Sequence, residues 1–375
     1  MVFSQKIKFE ILILLLLSGG NNFVKAQNTN TEARERTLLN EDWKFFKYDS
    51  AAESDSLIYD VRPQLEDDED GKDADAKPTE AEEITGEAKV LKPWILPTGN
   101  KFLKDGKDEY SRPVDEPFPE FPFIQPDFED KDWESVNLPH DWAIEGPFYE
   151  GWDAEVGGGM GRLPSPGVDW YRKSIEFSDA DFEKQVFLEI DVAMSYAMVW
   201  LNGKVVGGWP YGYASWQVDL TPYLKSGENQ LAIRVDNPPA SSRWYPGGGI
   251  YRNVWLTKKN PIHVGQWGGF VTGENISKKS AVINLNISID NASDIDTEVL
   301  IENIVYELNE NGERSDVITA EFDETSLNLK ANSTENFTEE ISIQNPKLWG
   351  PPPSQEPNQY VVVTRIIEEG NLGDE

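Results

Sequence analysis

From Trp133 onward the apolar residues come in short runs, each closed by Gly, Asn, Asp or Pro. The runs are Asp169–Phe177, Gln185–Val192, Tyr196–Trp209, Ala214–Leu220, Asn229–Asn237 and Ile250–Lys258, all rich in Val, Ile, Leu, Phe, Tyr and Trp. Almost none carries a sustained 3.6-residue stripe, so the pattern predicts strands rather than helices. Asn202-Gly203 sits between two apolar runs and is the pair preferred where both turn residues need positive φ, which predicts a two-residue hairpin. Regular short strands with such turns indicate an all-β sandwich of jelly-roll type.

A change of texture near Lys258–Pro261 divides the chain. Ala281–Asn291, Thr297–Leu308, Phe337–Ile343 and Gln359–Glu369 alternate apolar and polar positions, as strands with one wet face do. About a hundred residues of this kind suit one immunoglobulin-like sandwich. Within Thr297–Leu308, Ile301, Val305 and Leu308 also fall at helical offsets; strand is preferred because Asn309–Gly312 then forms a hairpin turn. The expected units are a jelly roll over 27–260 and an immunoglobulin-like sandwich over 261–375.

Upstream, Leu38–Asp49 reads as a strand through Trp43, Phe45 and Phe46. Residues from about 50 to 112 are mostly Asp, Glu, Lys, Ala and Pro, too polar to offset chain entropy by burial, and predict a mobile acidic insertion. Pro113–Phe128 predicts an extended, partly packed return. At the start, Lys6 and Lys8 precede the apolar run Ile11–Leu17 and then Val24-Lys25-Ala26, the layout of a secretory signal cut after about Ala26. That run is shorter than the roughly 20 residues of a membrane span, so a secreted or periplasmic protein is expected.

Composition narrows the chemistry. A net charge of −33 opposes nucleic acid and anionic membranes alike, since both demand clustered cations. The 375 residues include no cysteine and two histidines, His140 and His263, which excludes a thiol nucleophile and leaves too few ligands for zinc. No metal site and no cofactor are expected, and self-association is left open. Thirteen tryptophans is a high count, and Trp142, Trp152, Trp209, Trp244 and Trp267 stand beside Gly, Pro or charge, where an indole can present a flat face to a sugar. Most indoles of a sandwich nonetheless belong to its core.

His140-Asp141 suggests an acid/base pair, but adjacent strand residues face opposite ways; a turn in which Asp141 fixes backbone amides and Trp142 packs is favoured. The "GGGMG" run at 157–161 lacks the helix and Lys-Ser/Thr pair of a phosphate cradle. In "SSRWYPGGGIYRNVWL", Ser241–Leu256, three glycines let the backbone turn before a strand resumes.

The ordered segments Val136–Phe148, Asp169–Phe177, Val199–Trp209, Ser241–Leu256 and Asn345–Ile366 resemble the N-terminal part of glycoside hydrolase family 2, which includes β-galactosidases, β-glucuronidases and β-mannosidases. The resemblance implies a galactose-binding-like jelly roll, then an immunoglobulin-like domain, then a (β/α)₈ barrel that holds both catalytic glutamates. No residue up to Glu375 aligns with those glutamates, so no catalytic residue is assigned and the barrel is expected to be absent from this chain. The resemblance places Arg243, Trp244 and Tyr245 at the barrel mouth as carbohydrate-binding candidates; the competing role for Arg243 is an ion pair at a domain interface. The implied partners are a β-galactoside-like substrate and the barrel of the same enzyme. The alternatives are a stand-alone carbohydrate-binding protein and a fragment of β-glucuronidase or β-mannosidase type.

Overall fold

The structure is a computed structural model that describes residues 33–49, 53–54, 96–100, 103, 107, 115, 121–148, 163–237 and 247–375. Met1–Ala26, Trp152, the 157–161 glycine run and most of the acidic segment lie outside the described residues. Within that segment Leu96–Asn100 form a single helical turn. Thr98 packs so closely on Gly207 that a Cβ there would stand 2.3 Å from its hydroxyl, so this part of the predicted mobile insertion is docked on the sheet.

The first sandwich has ten strands: β1 (Arg34–Leu38), β2 (Trp43–Lys47), β3 (Glu134–Val136), β4 (Gly167–Phe177), β5 (Gln185–Ile190), β6 (Ala197–Leu201), β7 (Lys204–Trp209), β8 (Trp216–Asp219), β9 (Gly227–Asn237) and β10 (Val254–Lys259). One sheet runs β1-β10-β5-β8 and the other β3-β2-β4-β9-β6-β7, with every pairing antiparallel. Val186, Leu188 and Ile190 alternate inward from β5 and meet Val199, Ile233 and Val235 from the facing sheet. The β6–β7 hairpin turns through Asn202 and Gly203 at φ 54° and 82°, as the pair predicts. The β10 strand starts later than its apolar run: Ile250–Asn253 lie before it, with the Ile250 amide donating to the Tyr171 phenol instead of a sheet neighbour.

The six-stranded sheet is covered on both faces, which is why β6 is buried at every position. Its second face carries Trp170, Met198, Trp200, Val205 and Ala232, closed by Phe121 and Ile124. The predicted extended return packs here, but Pro122–Ile124 make a 3₁₀ turn rather than a continuous extended run. Arg172, 1% exposed, holds this cover in place. Its guanidinium pairs with Asp130 at 2.7 Å and donates to the carbonyls of Phe123, Gln125 and Phe128.

The second sandwich comprises β11 (Ile262–Glu274), β12 (Ser280–Asn291), β13 (Thr297–Leu308), β14 (Arg314–Glu321), β15 (Thr325–Leu329), β16 (Ser333–Gln344), β17 (Tyr360–Glu368) and β18 (Asn371–Asp374). The sheet β11-β12-β16 faces β14-β13-β17-β18, with β15 also paired to β13. Leu285, Ile287 and Ile289 of β12 meet Val299, Ile301 and Val305 of β13 in its core, so the segment that also fitted a helix is a strand. The all-β expectation holds throughout, and no helix among the described residues is long and apolar enough to cross a membrane.

The sandwiches are tied by Asp374, which is fully buried. It accepts from Arg34 Nε at 2.8 Å and Nη2 at 2.5 Å, and from the Val264 amide at 2.8 Å. A paired and fully bonded carboxylate is the form in which a buried charge is tolerated. The charge on Arg172 obeys the same rule, so Arg172→Leu, which strands Asp130 and three carbonyls, is expected to lower unfolding free energy by about 3 kcal/mol in urea titrations.

Candidate functional site

The loop that carries the predicted sugar contacts leaves the first sandwich at Asn237 and returns at Gly247. Arg243, Trp244 and Tyr245 themselves lie outside the described residues. The base of the loop is described in full. Asn237 donates its side-chain amide to the Gly247 carbonyl at 2.6 Å and to the Ser165 carbonyl at 2.9 Å, closing the two ends on each other. The 149–162 segment ends at the same place, since Ser165 and Gly167 lead into β4 opposite Asn237.

The three glycines have separate steric reasons. A Cβ on Gly247 would stand 2.6 Å from the Asp141 carboxylate, one on Gly248 2.3 Å from the Trp142 indole, and one on Gly249 2.4 Å from the Tyr171 hydroxyl. Gly249 also has φ +104°, which side-chain-bearing residues rarely adopt. These contacts bring Gly248–Ile250 alongside His140–Trp142: the His140 backbone amide donates to the Ile250 carbonyl at 2.8 Å and the Trp142 backbone amide to that of Gly248 at 3.2 Å. Asp141 Oδ1 accepts from the Ala143 and Gly248 amides at 2.9 and 3.0 Å. As the turn reading requires, Asp141 fixes backbone amides and Trp142 packs; Asp141 is a positioning residue.

His140 turns to another partner. Its Nδ1 lies 2.8 Å from the Tyr171 hydroxyl, which accepts from the Ile250 amide at 3.4 Å. Burial raises the Tyr171 pKa well above the usual phenol range and lowers that of His140, favouring the neutral form of each.

Two residues before Tyr171 on β4, Asp169 is fully buried with neither carboxylate oxygen hydrogen-bonded. Burial raises its pKa well above the ordinary 3.8, opposed by Arg234 and Lys47 and reinforced by Asp236. Lys47, its partner across the sheet, reaches over the Trp142 ring at 5.7 Å.

The glycine run also orders an aromatic corner that the sequence pattern did not single out. Met194 and Gly249 exchange backbone hydrogen bonds at 2.9 and 3.3 Å, and Met194 sits against Gly212, where a Cβ would be 2.4 Å from its sulfur. Tyr251 donates its hydroxyl to the Gly212 carbonyl at 2.6 Å. Burial, with Tyr213 beside it, raises the Tyr251 pKa to about 12, which keeps it a donor. Tyr211 and Tyr213 flank Gly212 with ring centroids 5.8 Å apart, both exposed. The Tyr-Gly-Tyr triplet after Trp209-Pro210 was the available sequence signal.

Asp141 Oδ1 is engaged by two amides, and burial raises the Asp169 pKa well above the usual carboxylate range. Among the described residues no group of three or more His, Asp or Glu is placed to hold a metal ion. What the site offers is an anchored loop base beside exposed tyrosine rings.

Residues 167–245 match the family described as glycosyl hydrolase 2 galactose-binding domain-like, and residues 269–375 match glycosyl hydrolases family 2. The chain is 41% identical over 254 residues to a β-galactosidase of Bacteroides ovatus, covering 67% of this chain and 28% of that protein. It is 31% identical over 254 residues to a putative β-glucuronidase of Formosa agariphila, covering 68% and 22%. Among solved structures, a glycosyl hydrolase family 2 member from Bacteroides cellulosilyticus matches with a TM-score of 0.59 at 28% identity, over 67% of this chain and 32% of that one. The fold of a Bacteroides uniformis β-glucuronidase matches at 0.61 and 22% identity, over 91% and 31%. The chain thus spans less than a third of the length of these relatives.

Two measurements check the site. Gly248→Ala forces a methyl into the indole and is expected to cost about 1–3 kcal/mol in thermal unfolding, while Gly269→Ala, with nothing within 4 Å of the added carbon, stays near neutral. For Asp169 the folded pKa lies above the unfolded one, so ionisation disfavours the fold. That penalty is nil well below pH 3.8 and grows as pH rises toward the folded value. Asp169→Asn is therefore expected to gain stability over the parent progressively from acid to neutral pH, a trend read from melting temperatures across the range.

Proposed function

Because the chain carries the galactose-binding-like and immunoglobulin-like domains of glycosyl hydrolase family 2, we propose that it is the non-catalytic, substrate-facing part of a β-galactosidase-like glycosidase acting on terminal β-glycosidic bonds. The identity to the Bacteroides ovatus β-galactosidase carries this reading. In it, Arg243 donates to sugar hydroxyls while Trp244 and Tyr245 wall the pocket, chemistry suited to a guanidinium fork and flat rings. The loop base described above supports the assignment, since rigid anchoring lowers the ordering cost of a binding loop. The two catalytic carboxyls would be supplied by a barrel outside these domains. The leader Met1–Ala26 supports export to the periplasm or medium.

The glucuronidase relatives favour a second reading in which the sugar carries a carboxylate. Titration of the chain by calorimetry with methyl β-galactoside and methyl β-glucuronide separates the two. The expected outcome is weak binding that prefers the galactoside, weakens roughly tenfold in the Arg243→Ala/Trp244→Ala variant, and occurs without hydrolysis of p-nitrophenyl β-galactoside. Preference for the glucuronide would select the second reading. Turnover by the purified chain would refute the non-catalytic assignment, and unchanged binding in the variant would remove the loop from the pocket.

A further inference from the structure

A second surface has the makings of a sugar site, on the outer face of the β1-β10-β5-β8 sheet where β11 crosses it. A cleft of about 260 Å³ lies there between the sandwiches, bordered by Arg36, Glu189 and Gln217 from the sheet and by Gln266 and Trp267 from β11. The register of β11 against β12 shifts between Val264 and Gly269, so residues 265–268 form a bulge. Trp267 stands on that bulge at φ 53° and is 61% exposed. A large residue held in the left-handed region and a bulge that re-aims a side chain both mark sites where backbone regularity has been given up for placement. Glycines make the placement feasible: a Cβ on Gly268 would be 2.7 Å from the Ser288 carbonyl, and one on Gly265 2.9 Å from Asp290.

The floor of the cleft is polar and carries charges of both signs: besides the residues above, Asp191 and Lys259 border it, the Lys259 ammonium lying 5.1 Å over the Phe187 ring. Arg36 pairs with Glu189 at 2.9 Å and lies 4.0 Å over the Trp255 ring, and Glu189 also accepts from Thr257 at 2.8 Å. Arg34, also on the border, is held by Asp374 at 2.5 Å. With both guanidiniums paired, the Lys259 side chain buried, the Asp191 carboxylate on the border and a chain charge of −33, an anionic ligand has little to attract it. The amides of Gln217 and Gln266 and the free edges of the Arg36–Glu189 pair supply both donors and acceptors, beside a flat indole face. That is the complement of one sugar ring with its hydroxyl edge and C–H face. The volume falls just below the range of about 300–1,000 Å³ for drug-sized ligands, which suits a single ring better than an oligosaccharide.

We propose that this inter-sandwich cleft is a second carbohydrate site, which holds one neutral pyranose unit of a glycan against Trp267 on the sheet face, apart from the loop end. The choice of a sugar rests on the glycosidase reading above. A site of this kind keeps the protein on a polymer without occupying the loop that meets the terminal residue.

The test is retardation of the full chain in native gels containing β-1,4-galactan, with polygalacturonate as the anionic counterpart. Four proteins are run: parent, Trp267→Ala, Gln217→Ala and Arg243→Ala/Trp244→Ala, each checked for an unchanged melting transition. The proposal expects retardation by galactan alone, roughly tenfold weaker in Trp267→Ala, weaker in Gln217→Ala and retained in the loop variant. Retardation that survives in both Trp267→Ala and Gln217→Ala but is lost in the loop variant overturns the cleft and leaves the functional reading standing. Loss in the cleft variants, with the loop variant unaffected here and in the methyl galactoside titration, supports the cleft and counts against the loop. Absence of retardation in the parent, or retardation by polygalacturonate alone, overturns the proposal.

Discussion

The end of the first sandwich depends on how closely the backbone of Gly247–Gly249 approaches the Asp141–Trp142 turn and Tyr171. With no Cβ at these positions, main chain lies directly against an indole, a carboxylate and a phenol, which a side chain on any of the three would prevent. Each glycine carries an entropic cost of roughly 0.5–1 kcal/mol relative to alanine, offset here by the hydrogen bonds that close approach permits. The consequences spread outward. The bonds between Gly249 and Met194 fix the turn before β6, Met194 fixes Gly212, and Gly212 carries Tyr211 and Tyr213. A loop base and an aromatic corner are thus set by one contact, and neither is an independent feature of the surface.

The same sandwich also buries charge inside its larger sheet. Arg172 shows the tolerated arrangement, with an ion pair and three carbonyl acceptors around one guanidinium. Asp169 is the opposite arrangement, a carboxyl with no hydrogen bond whose nearest compensation is the field of Arg234 and Lys47. A hydrophobic residue of similar size would pack there more favourably, so the carboxyl is a local conflict in the sheet. It sits two residues before Tyr171, at the end of β4 that leads from the loop base. The core concedes hydrogen bonds elsewhere too, at the buried Trp200 and Trp216 indole nitrogens, but among the described residues only here is the unbonded group a carboxyl.

The features legible in the sequence were those with a local cause. Asn202-Gly203 specified its hairpin because both residues need positive φ, and Asn309–Gly312 decided strand over helix for Thr297–Leu308 because a turn left no room for continuation. Asp141 was readable as a backbone-fixing turn residue because neighbours along an extended chain diverge. The misses have long-range causes. The strand β1 has few apolar residues and exists through pairing with β10, far along the chain. The docking of Leu96–Asn100 depends on a bare glycine on β7. The late start of β10 follows from Tyr171 claiming the Ile250 amide. Trp267 was noticed as an indole beside glycine, but the bulge that turns it outward is a property of register with β12, which no periodicity announces.

The Arg34–Asp374 clamp bears on how stiffly the two sandwiches sit against each other. Asp374 is fully buried and satisfied by a bidentate guanidinium plus the Val264 amide, so opening the interface would expose a charge whose partners come from both sandwiches. Such a pair contributes little net stability against a hydrophobic alternative, yet it resists sliding, because a fork-to-fork geometry has one good register. Val264 is also the last residue of β11 in register before the bulge, so the clamp holds the point from which Trp267 projects. The cleft is therefore bounded on one side by a paired sheet and on the other by a bulge whose root is pinned. A ligand there meets walls already in place, and the free energy of its contacts is not spent on closing the two sandwiches around it.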